Sequence, residues 1–384
     1  MLKVCHVSSG HRITDTRIFR RECRILKDNG LEVSLLAQHS RAETVEGINI
    51  VNLPMVGERW FQRLVLLLPI TVRLLKGDYD VYHFHDPDLL PVMLAVALLT
   101  KRKTIWDVHE EYISVVSRAN KFGVKPLTRL IMNIFERTEL KTCRMIGASI
   151  VTVSEGIAER YRRAGLNTTI CANFVDHRRI QFPPKVRRAS PPLAIMTGTI
   201  QSRFSPDTIV EVFARVRKKI DCRLAFAGTF FPKNLSGQIM ERAEELGVKD
   251  AVHCSGPFVW ETLVGEIIPA ASVGMMLELG DPHHPQTKWA LPNKLFEYWV
   301  NGIPALANKD THFGDLVEEV EGGLTVNFDD VDDIAMKLEK LLSDRNLANK
   351  MGSNGRRAVI EKYNWASEGM KLLGLYSSLF EKSN

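Results

Sequence analysis

Runs of strand length alternate with segments of helical period along this chain, and that alternation restricts its fold more than any other feature. Lys3–Ser8, Glu32–Ala37, Ile48–Leu53, Val81–His85, Lys103–Asp107 and Ser149–Val153 read as strands. Arg17–Asn29, Trp60–Lys76, Leu89–Leu99 and Pro126–Arg144 carry helical patterns, and Ser154 is placed to cap a further helix through Arg163. Gly30 suits the end of the first helix, where a left-handed residue is wanted. Strands that alternate with helices pair in parallel, with helices on both faces of the sheet. The pattern breaks at Phe182–Pro192, which holds four prolines and three cations in eleven residues. Proline removes amide donors and disfavours helix in the residue before it, so this stretch reads as a linker. The alternation then resumes, with strands at Leu193–Thr197, Arg223–Ala227, Val252–Ser255, Val273–Leu277, Ile303–Ala307 and Gly323–Asn327. Helices lie between them and close the chain near Val331–Ser343, Asn346–Val359 and Trp365–Phe380. Two Rossmann-like α/β domains are expected, at residues 1–184 and 193–364, joined by a linker at 185–192. Open parallel sheets bind ligands at the carboxyl ends of their strands, so two facing sheets predict one shared cleft.

A chain of 384 residues suits two domains of roughly 100–200 residues each. Residues 1–190 hold 30 Lys/Arg against 19 Asp/Glu, or +11, and the remainder holds 21 against 26, or −5. The basic half either meets an anion (a membrane surface, a lipid phosphate, a nucleic acid) or is a solvated surface. No nucleic-acid recognition motif is present, so no nucleic acid partner is expected. Six dispersed cysteines, without a CxxC pair, read as buried free thiols of a reducing compartment. Met1–Ser8 reads as a strand rather than a secretory signal. The longest uncharged apolar runs, Leu64–Val72 and Leu89–Thr100, are shorter than the roughly 20 residues of a membrane span. The expected location is cytoplasmic, with at most peripheral membrane contact. Trp60–Lys76, with Arg59, Arg63, Arg73 and Lys76 about a leucine-rich centre, reads equally as a helix lying on an anionic bilayer and as a core helix with a basic rim.

The segment Leu291–Ala307, LPNKLFEYWVNGIPALA, is the most informative. A proline in the first helical turn loses no hydrogen bond. The amides of Asn293, Lys294 and Leu295 would then point out of the helix start, where an anion is favoured, and Lys294 adds a full charge. Glu297 lies on the same face, placed to accept hydrogen bonds from ribose hydroxyls. The same pattern also fits an ordinary helix start with a surface Lys–Glu pair. His83 and His85, followed by Asp86 and Asp88, read as a cleft-lining strand end, and His283-His284 as cleft edge or plain surface. No metal site is expected at either.

Leu291–Ala307 closely resembles the donor-nucleotide segment of retaining GT-B glycosyltransferases of family 4, and the resemblance extends over essentially the whole chain. Asp15–Glu22 (DTRIFRRE) followed by Gly30–Val33 is similar to that family's first loop and helix. Asp80–Pro87 (DVYHFHDP) is similar to its fourth-strand signature, and Trp106–Glu110 (WDVHE) carries the histidine of its sugar site. Cys171–Asp176, Met351–Arg356 and Glu361–Trp365 resemble its Asn-containing loop and its tail, whose last helix, here 365–384, crosses back onto the first domain. The resemblance implies a donor diphosphate on Arg203, Lys294 and the amides of Asn293–Leu295, beside Pro292 and near the Gly198 turn, and ribose on Glu297. His109 would sit beside the transferred sugar, and Asp15, Arg17, His85 and Asp86 would border the acceptor. It implies no cofactor and no metal. Positive charge would stabilise the leaving diphosphate, so that no protein nucleophile is needed. Two departures stand out. Trp289 occupies the place of the family's first glutamate, and no lysine follows Arg203 closely. The expected function is transfer of a sugar from a nucleoside diphosphate to a growing, lipid-linked glycan. A sugar-nucleotide epimerase and a non-catalytic nucleotide-sugar binder are the alternatives.

Overall fold

A computed structural model describes residues 1–57, 60–109, 125–180, 188–277 and 291–381, without the side chains of residues 60, 125–129, 131, 132 and 203. The chain divides into two compact units, Met1–Ala172 with Ala366–Asn384, and Asn173–Trp365. Each is an α/β layered structure around a parallel sheet.

The first unit holds β1 (Lys3–Arg12), β2 (Glu32–Gln38), β3 (Glu43–Val45), β4 (Ile48–Leu53), β5 (Val81–Phe84), β6 (Lys103–Val108), β7 (Ser149–Thr152) and β8 (Thr168–Ile170). They form one sheet in the order β3-β4-β2-β1-β5-β6-β7-β8. Val4, Cys5, His6 and Val7 of β1 are all buried, as a central strand covered on both faces requires. Only β3 runs antiparallel, against β4. Sequence reading missed it, although Glu46-Gly47 between Val45 and Ile48 is a two-residue hairpin signal. Both residues have positive φ, 51° and 77°, the geometry of a tight primed turn. The chain leaves β1 toward β2 and returns on its other flank as β5, so a crevice opens at the carboxyl ends of β1 and β5.

The first helix departs from the regular one expected over Arg17–Asn29. Ile18–Cys23 is a wide π-helical turn and Arg24–Asp28 an α-helical one. The Glu22 amide donates to the Arg17 carbonyl (3.0 Å), five residues back. This widening lets Arg17 and Glu22 both face inward, and both are buried. The helix Trp365–Glu381 packs on this unit from its second residue onward. Glu368 accepts from the Ala172 amide (2.9 Å), and Gly369 lies against Ile25, where a Cβ would stand 2.8 Å from its side chain. Ser154 stands at the start of Glu155–Arg163 as expected, but its side chain makes no capping bond.

The second unit holds β9 (Leu193–Gln201), β10 (Arg223–Phe231), β11 (Val252–Ser255), β12 (Val273–Met276), β13 (Ala305–Asn308) and β14 (Gly323–Val326), all parallel, in the order β11-β10-β9-β12-β13-β14. β9 and β10 run on past their expected ends, paired in register from Leu193/Arg223 to Gln201/Phe231. Gly228 makes that pairing possible, because a Cβ there would stand 1.8 Å from the Gly198 carbonyl oxygen. Arg188, at the end of the expected linker, donates to the carbonyls of Gly302 (2.7 Å) and Pro269 (3.1 Å) and so ties that segment to this unit. Asp330 and Asp344 cap the helices Val331–Ser343 and Arg345–Glu361 through side-chain bonds to first-turn amides.

The helix Asn293–Val300 is held by aromatic side chains against glycines. The Tyr298 ring lies on Gly274 of β12, and its hydroxyl accepts from the Thr197 amide (3.0 Å). Trp299 fills the space above Gly322 and Gly355 and donates to the Gly322 carbonyl (2.9 Å). A Cβ on Gly274 would stand 2.2 Å from the Tyr298 ring, whereas one on Gly237 meets nothing within 4 Å. Gly274→Ala is therefore expected to destabilise the protein by about 1–3 kcal/mol. Gly237→Ala, inside a helix, should be neutral or stabilise by roughly 0.5–1 kcal/mol. Melting temperatures of the two variants beside the parent chain check this; equal melting points would show that the helix is not seated on Gly274.

Candidate active site

Asp107, at the end of β6, organises the first unit. It is fully buried and takes a two-pronged ion pair from Arg17, with Nε to Oδ2 and Nη2 to Oδ1 both at 2.8 Å. Arg17 Nη1 also donates to the Cys171 carbonyl (2.9 Å). Two imidazoles share Oδ2, His85 Nδ1 at 3.0 Å and His109 Nδ1 at 3.2 Å. Burial opposes the Asp107 charge, but the Arg17 charge and the His109 and His85 bonds outweigh it and hold the carboxyl well below the usual carboxylate range. Glu22, beside it, goes the other way: burial and the Asp107 charge push its pKa well up. An ionised Asp107 accepts from both imidazoles, which fixes their protons on Nδ1. His109 Nε2 faces His11 Nε2 at 3.3 Å, so that one of the two rings donates to the other. His11 Nδ1 in turn pairs with Asp15 Oδ2 (3.3 Å). Of the imidazoles on Asp107, His85 is wholly buried, while His109 keeps a tenth of its side chain exposed. Oriented by Asp107 and partly reachable, His109 is placed to orient or exchange a hydroxyl proton.

The residues expected to border the acceptor prove mostly structural. Arg17 and His85 are spent on Asp107 and are buried, so the expectation that they line a cleft is corrected for both, and for His83, which is fully buried. Asp86, 3% exposed, accepts from Ser8 Oγ (2.6 Å), the Ser9 amide (2.9 Å) and the Gly10 amide (3.2 Å) on one oxygen and from Arg63 Nη1 (3.1 Å) on the other. It clamps the loop after Val7 rather than facing a ligand. Asp15 caps the wide helical turn through the amides of Arg17 and Ile18 (both 2.8 Å) and is partly exposed. Sequence reading gave no role to His11, which stands outside the motifs, or to Glu22, which ends the Asp15–Glu22 motif but whose spacing does not point to its partners on other strands.

In the second unit, Gly198 (φ 92°) and Gly228 face each other in the carboxyl-terminal halves of β9 and β10, and Gly256 (φ 114°) directly follows β11. The helix Asn293–Val300 begins near this edge. Pro292 is its N-cap rather than its first residue, with φ −64° and ψ 135°. The Leu295 amide is consequently spent on the Pro292 carbonyl (3.1 Å), and the Leu295 side chain is buried. The expectation that Leu295 offers an amide to a ligand is corrected, and the first turn presents Asn293 and Lys294. Lys294 Nζ stands 4.5 Å from the centre of the Phe204 ring, a cation–π contact that holds the ammonium at the helix start. Glu297, one turn on, is 7% exposed and accepts from Trp260 Nε1 at 2.8 Å, which orients its carboxylate. The Arg203 side chain and residues 278–290, with Trp289 and His283-His284, lie outside the described residues.

Both sheets thus carry chemistry at the carboxyl ends of their strands, and the architecture is that of the GT-B glycosyltransferases. Solved structures agree on the fold. Sucrose-phosphate synthase from Thermosynechococcus elongatus superposes with a TM-score of 0.75 at 17% identity, covering 100% of both chains. The Anabaena protein HepE, solved with UDP and glucose, gives 0.72 at 11% identity, covering 98% of this chain and 100% of that one. Residues 16–179 match Glycosyltransferase Family 4, and residues 177–358 match Glycosyl transferases group 1. The protein belongs to this family of GT-B glycosyltransferases, the family 4 or group 1 type. Among curated relatives, the lipopolysaccharide core biosynthesis glycosyltransferase LpsE of Rhizobium meliloti is 22% identical over 56% of this chain and 59% of its own length. The sulfoquinovosyl transferase of Arabidopsis thaliana is 22% identical over 92% of this chain and 68% of its own. The chain therefore spans somewhat less than two thirds of the first of these relatives.

Arg17→Met removes the cation that holds Asp107. Breaking a buried pair from one side costs about 3–5 kcal/mol. Because the Asp107 pKa is depressed in the folded state, its contribution to stability is present above the unfolded carboxyl value of about 3.9 and is lost as pH falls below it. The variant should melt lower at neutral pH and show a shallower loss between pH ~5 and ~2 than the parent. Denaturant titrations at several pH values test this, and parallel acid profiles would remove the ion pair from the account.

Proposed function

We propose that this protein is a retaining glycosyltransferase that moves a sugar from a nucleoside diphosphate to a growing, lipid-linked glycan of the cell envelope. The observation that carries the reading is the start of the helix Asn293–Val300. An ammonium fixed by an aromatic ring and an oriented, nearly buried carboxylate stand one turn apart at the carboxyl edge of a parallel sheet. Lys294 and the helix start would neutralise the diphosphate as charge develops on it, and Glu297 would accept from the ribose hydroxyls. With that charge met by the chain, the transfer step needs no metal on the diphosphate. His109, oriented by Asp107 in the first unit, would serve the sugar or its acceptor rather than the nucleotide. The relative named for lipopolysaccharide core biosynthesis supports a lipid-linked acceptor.

Thermal-shift screening against nucleoside diphosphates and their sugars is the first test, since a specific donor raises the melting temperature by mass action. Lys294→Ala and Glu297→Ala should each weaken nucleoside diphosphate binding about tenfold to a hundredfold, the worth of a hydrogen bond to a charged group. His109→Ala should keep that affinity and lose transfer by roughly tenfold to a thousandfold. Calorimetry and turnover measured on one preparation of each variant separate these outcomes. Nucleotide affinity unchanged in both Lys294→Ala and Glu297→Ala would move the donor elsewhere, and loss of it in a folded His109→Ala would assign the donor to the first unit.

The acceptor reading includes a peripheral membrane contact of a cytoplasmic protein. No helix among the described residues is long and apolar enough to cross a membrane. The helix Leu67–Lys76, however, buries Ile70 and Leu74 and leaves Leu68 (72% exposed), Val72 and Leu75 outward, with Leu99 (71%) on the neighbouring helix Leu90–Thr100. Arg73, Lys76, Lys101 and Arg102 supply the positive charge that an anionic headgroup layer attracts. In sedimentation with phosphatidylglycerol vesicles, Leu68→Glu should bind about tenfold or more weakly, the worth of one leucine left unburied. Binding unaffected by this change but abolished by salt would leave only an electrostatic contact.

A further inference from the structure

Three imidazoles stand side by side in the first unit. His6 of β1 pairs in register with His83 of β5, and His85 follows two residues on, toward the same face. Their ring centres are 4.5 Å (His6–His83), 5.2 Å (His6–His85) and 4.8 Å (His83–His85) apart. The wide helical turn brings Glu22 onto this group. Its Oε2 is 3.9 Å from His6 Nδ1, 3.8 Å from His83 Nε2 and 4.0 Å from His85 Nε2. All four side chains are 0% exposed. Among the described residues, His83 Nε2 and both Glu22 oxygens make no hydrogen bond, although Oε1 lies 3.1 Å from Arg17 Nε. Buried polar atoms left this way cost about 1–3 kcal/mol each, so an arrangement that orphans several around one point calls for an occupant touching all of them.

The donor set identifies that occupant. Imidazole nitrogens with one carboxylate oxygen suit a first-row divalent cation, and a set complete without solvent suits a structural one. Ligand atoms at about 2.0–2.1 Å from zinc stand roughly 3.3 Å apart in a tetrahedron, so the present distances close by shifts below an ångström. The far nitrogens carry the outer partners that metal-binding imidazoles use. His83 Nδ1 bonds the Tyr376 hydroxyl at 2.9 Å, and His85 Nδ1 bonds Asp107 at 3.0 Å. His6 Nδ1 and His85 Nε2 share a proton at 3.0 Å, which a cation would displace. We propose that His6, Glu22, His83 and His85 form a closed site for a first-row divalent cation, with zinc the best fit. The cation ties β1, β5 and the Ile18–Cys23 turn together and, through His85 and Asp107, steadies His109. The site is separate from the diphosphate and does not depend on the donor assignment.

The test uses the full chain, freed of any histidine tag and produced in zinc-supplemented medium. Elemental analysis after dialysis should find about one zinc per chain. Stripping with a chelator in mild denaturant should lower the melting temperature, and zinc should restore it. Cobalt loaded in place of zinc should give visible d–d bands that Glu22→Gln lacks. Tyr376→Phe keeps the ring that fills the core and loses only the outer hydrogen bond. It should bind zinc about 10–100-fold more weakly in a chelator competition, and this result decides the matter if Glu22→Gln does not fold. A parent chain without stoichiometric metal, whose melting temperature does not respond to zinc, cobalt or manganese, would overturn the proposal and assign the space to water. Full metal retained in Glu22→Gln, or zinc affinity unchanged in Tyr376→Phe, would overturn it as well.

Discussion

The Arg17–Asp107 ion pair is the constraint on which the first unit depends. A buried carboxylate is tolerated only where charge and hydrogen bonds replace the water it has lost. Arg17 provides both, and its third contact, to the Cys171 carbonyl, fastens the strand end beyond β8. To reach Asp107, Arg17 must face inward from the first turn of a helix whose next inward residue is Glu22, and the wide turn at Ile18–Cys23 accommodates this. The ionised Asp107 then dictates the protons of His85 and His109. Loop, helix, strand end and candidate catalytic imidazole thus form one electrostatic assembly.

The second unit uses close packing in place of charge. Glycines at Gly274, Gly322 and Gly355 admit the faces of Tyr298 and Trp299, and this seats the helix that carries Lys294 and Glu297. A helix held by dense aromatic contacts does not shift without creating voids, so its first turn is a fixed feature. Phe204 and Trp260 then orient the ammonium and the carboxylate from outside the helix. Both groups are therefore held in place before any ligand arrives.

The two units also differ in what their histidines and acids do. In the first, most of the motif residues support others: Asp86 clamps a loop, His85 relays the Asp107 contact to the buried imidazole group, and Asp15 caps a turn. Residues of catalytic type in a signature are here largely the frame that holds His109.

The sequence by itself determined the fold class and nearly every strand, because period and turn chemistry are local: the strands Ile48–Leu53 and Val252–Ser255 and the helix Val331–Ser343 fall where their patterns place them. Motifs drew attention to Lys294, Glu297 and His109, and the surroundings of each came from the structure. The far ends of β9 and β10 were not legible, since their pairing depends on two glycines meeting across strands. Nor was the spent Leu295 amide, which follows from Pro292 standing one position earlier than a sequence can fix. The burial of Arg17 and His85, and the meeting of His6, Glu22, His83 and His85, were decided only by tertiary structure. Those residues are separated by up to 90 positions, as Arg17 and Asp107 are. What brings them together is the parallel crossover from β1 to β5 and the inward turn of one helix, and desolvation, which sets their charges, exists only once the core has closed.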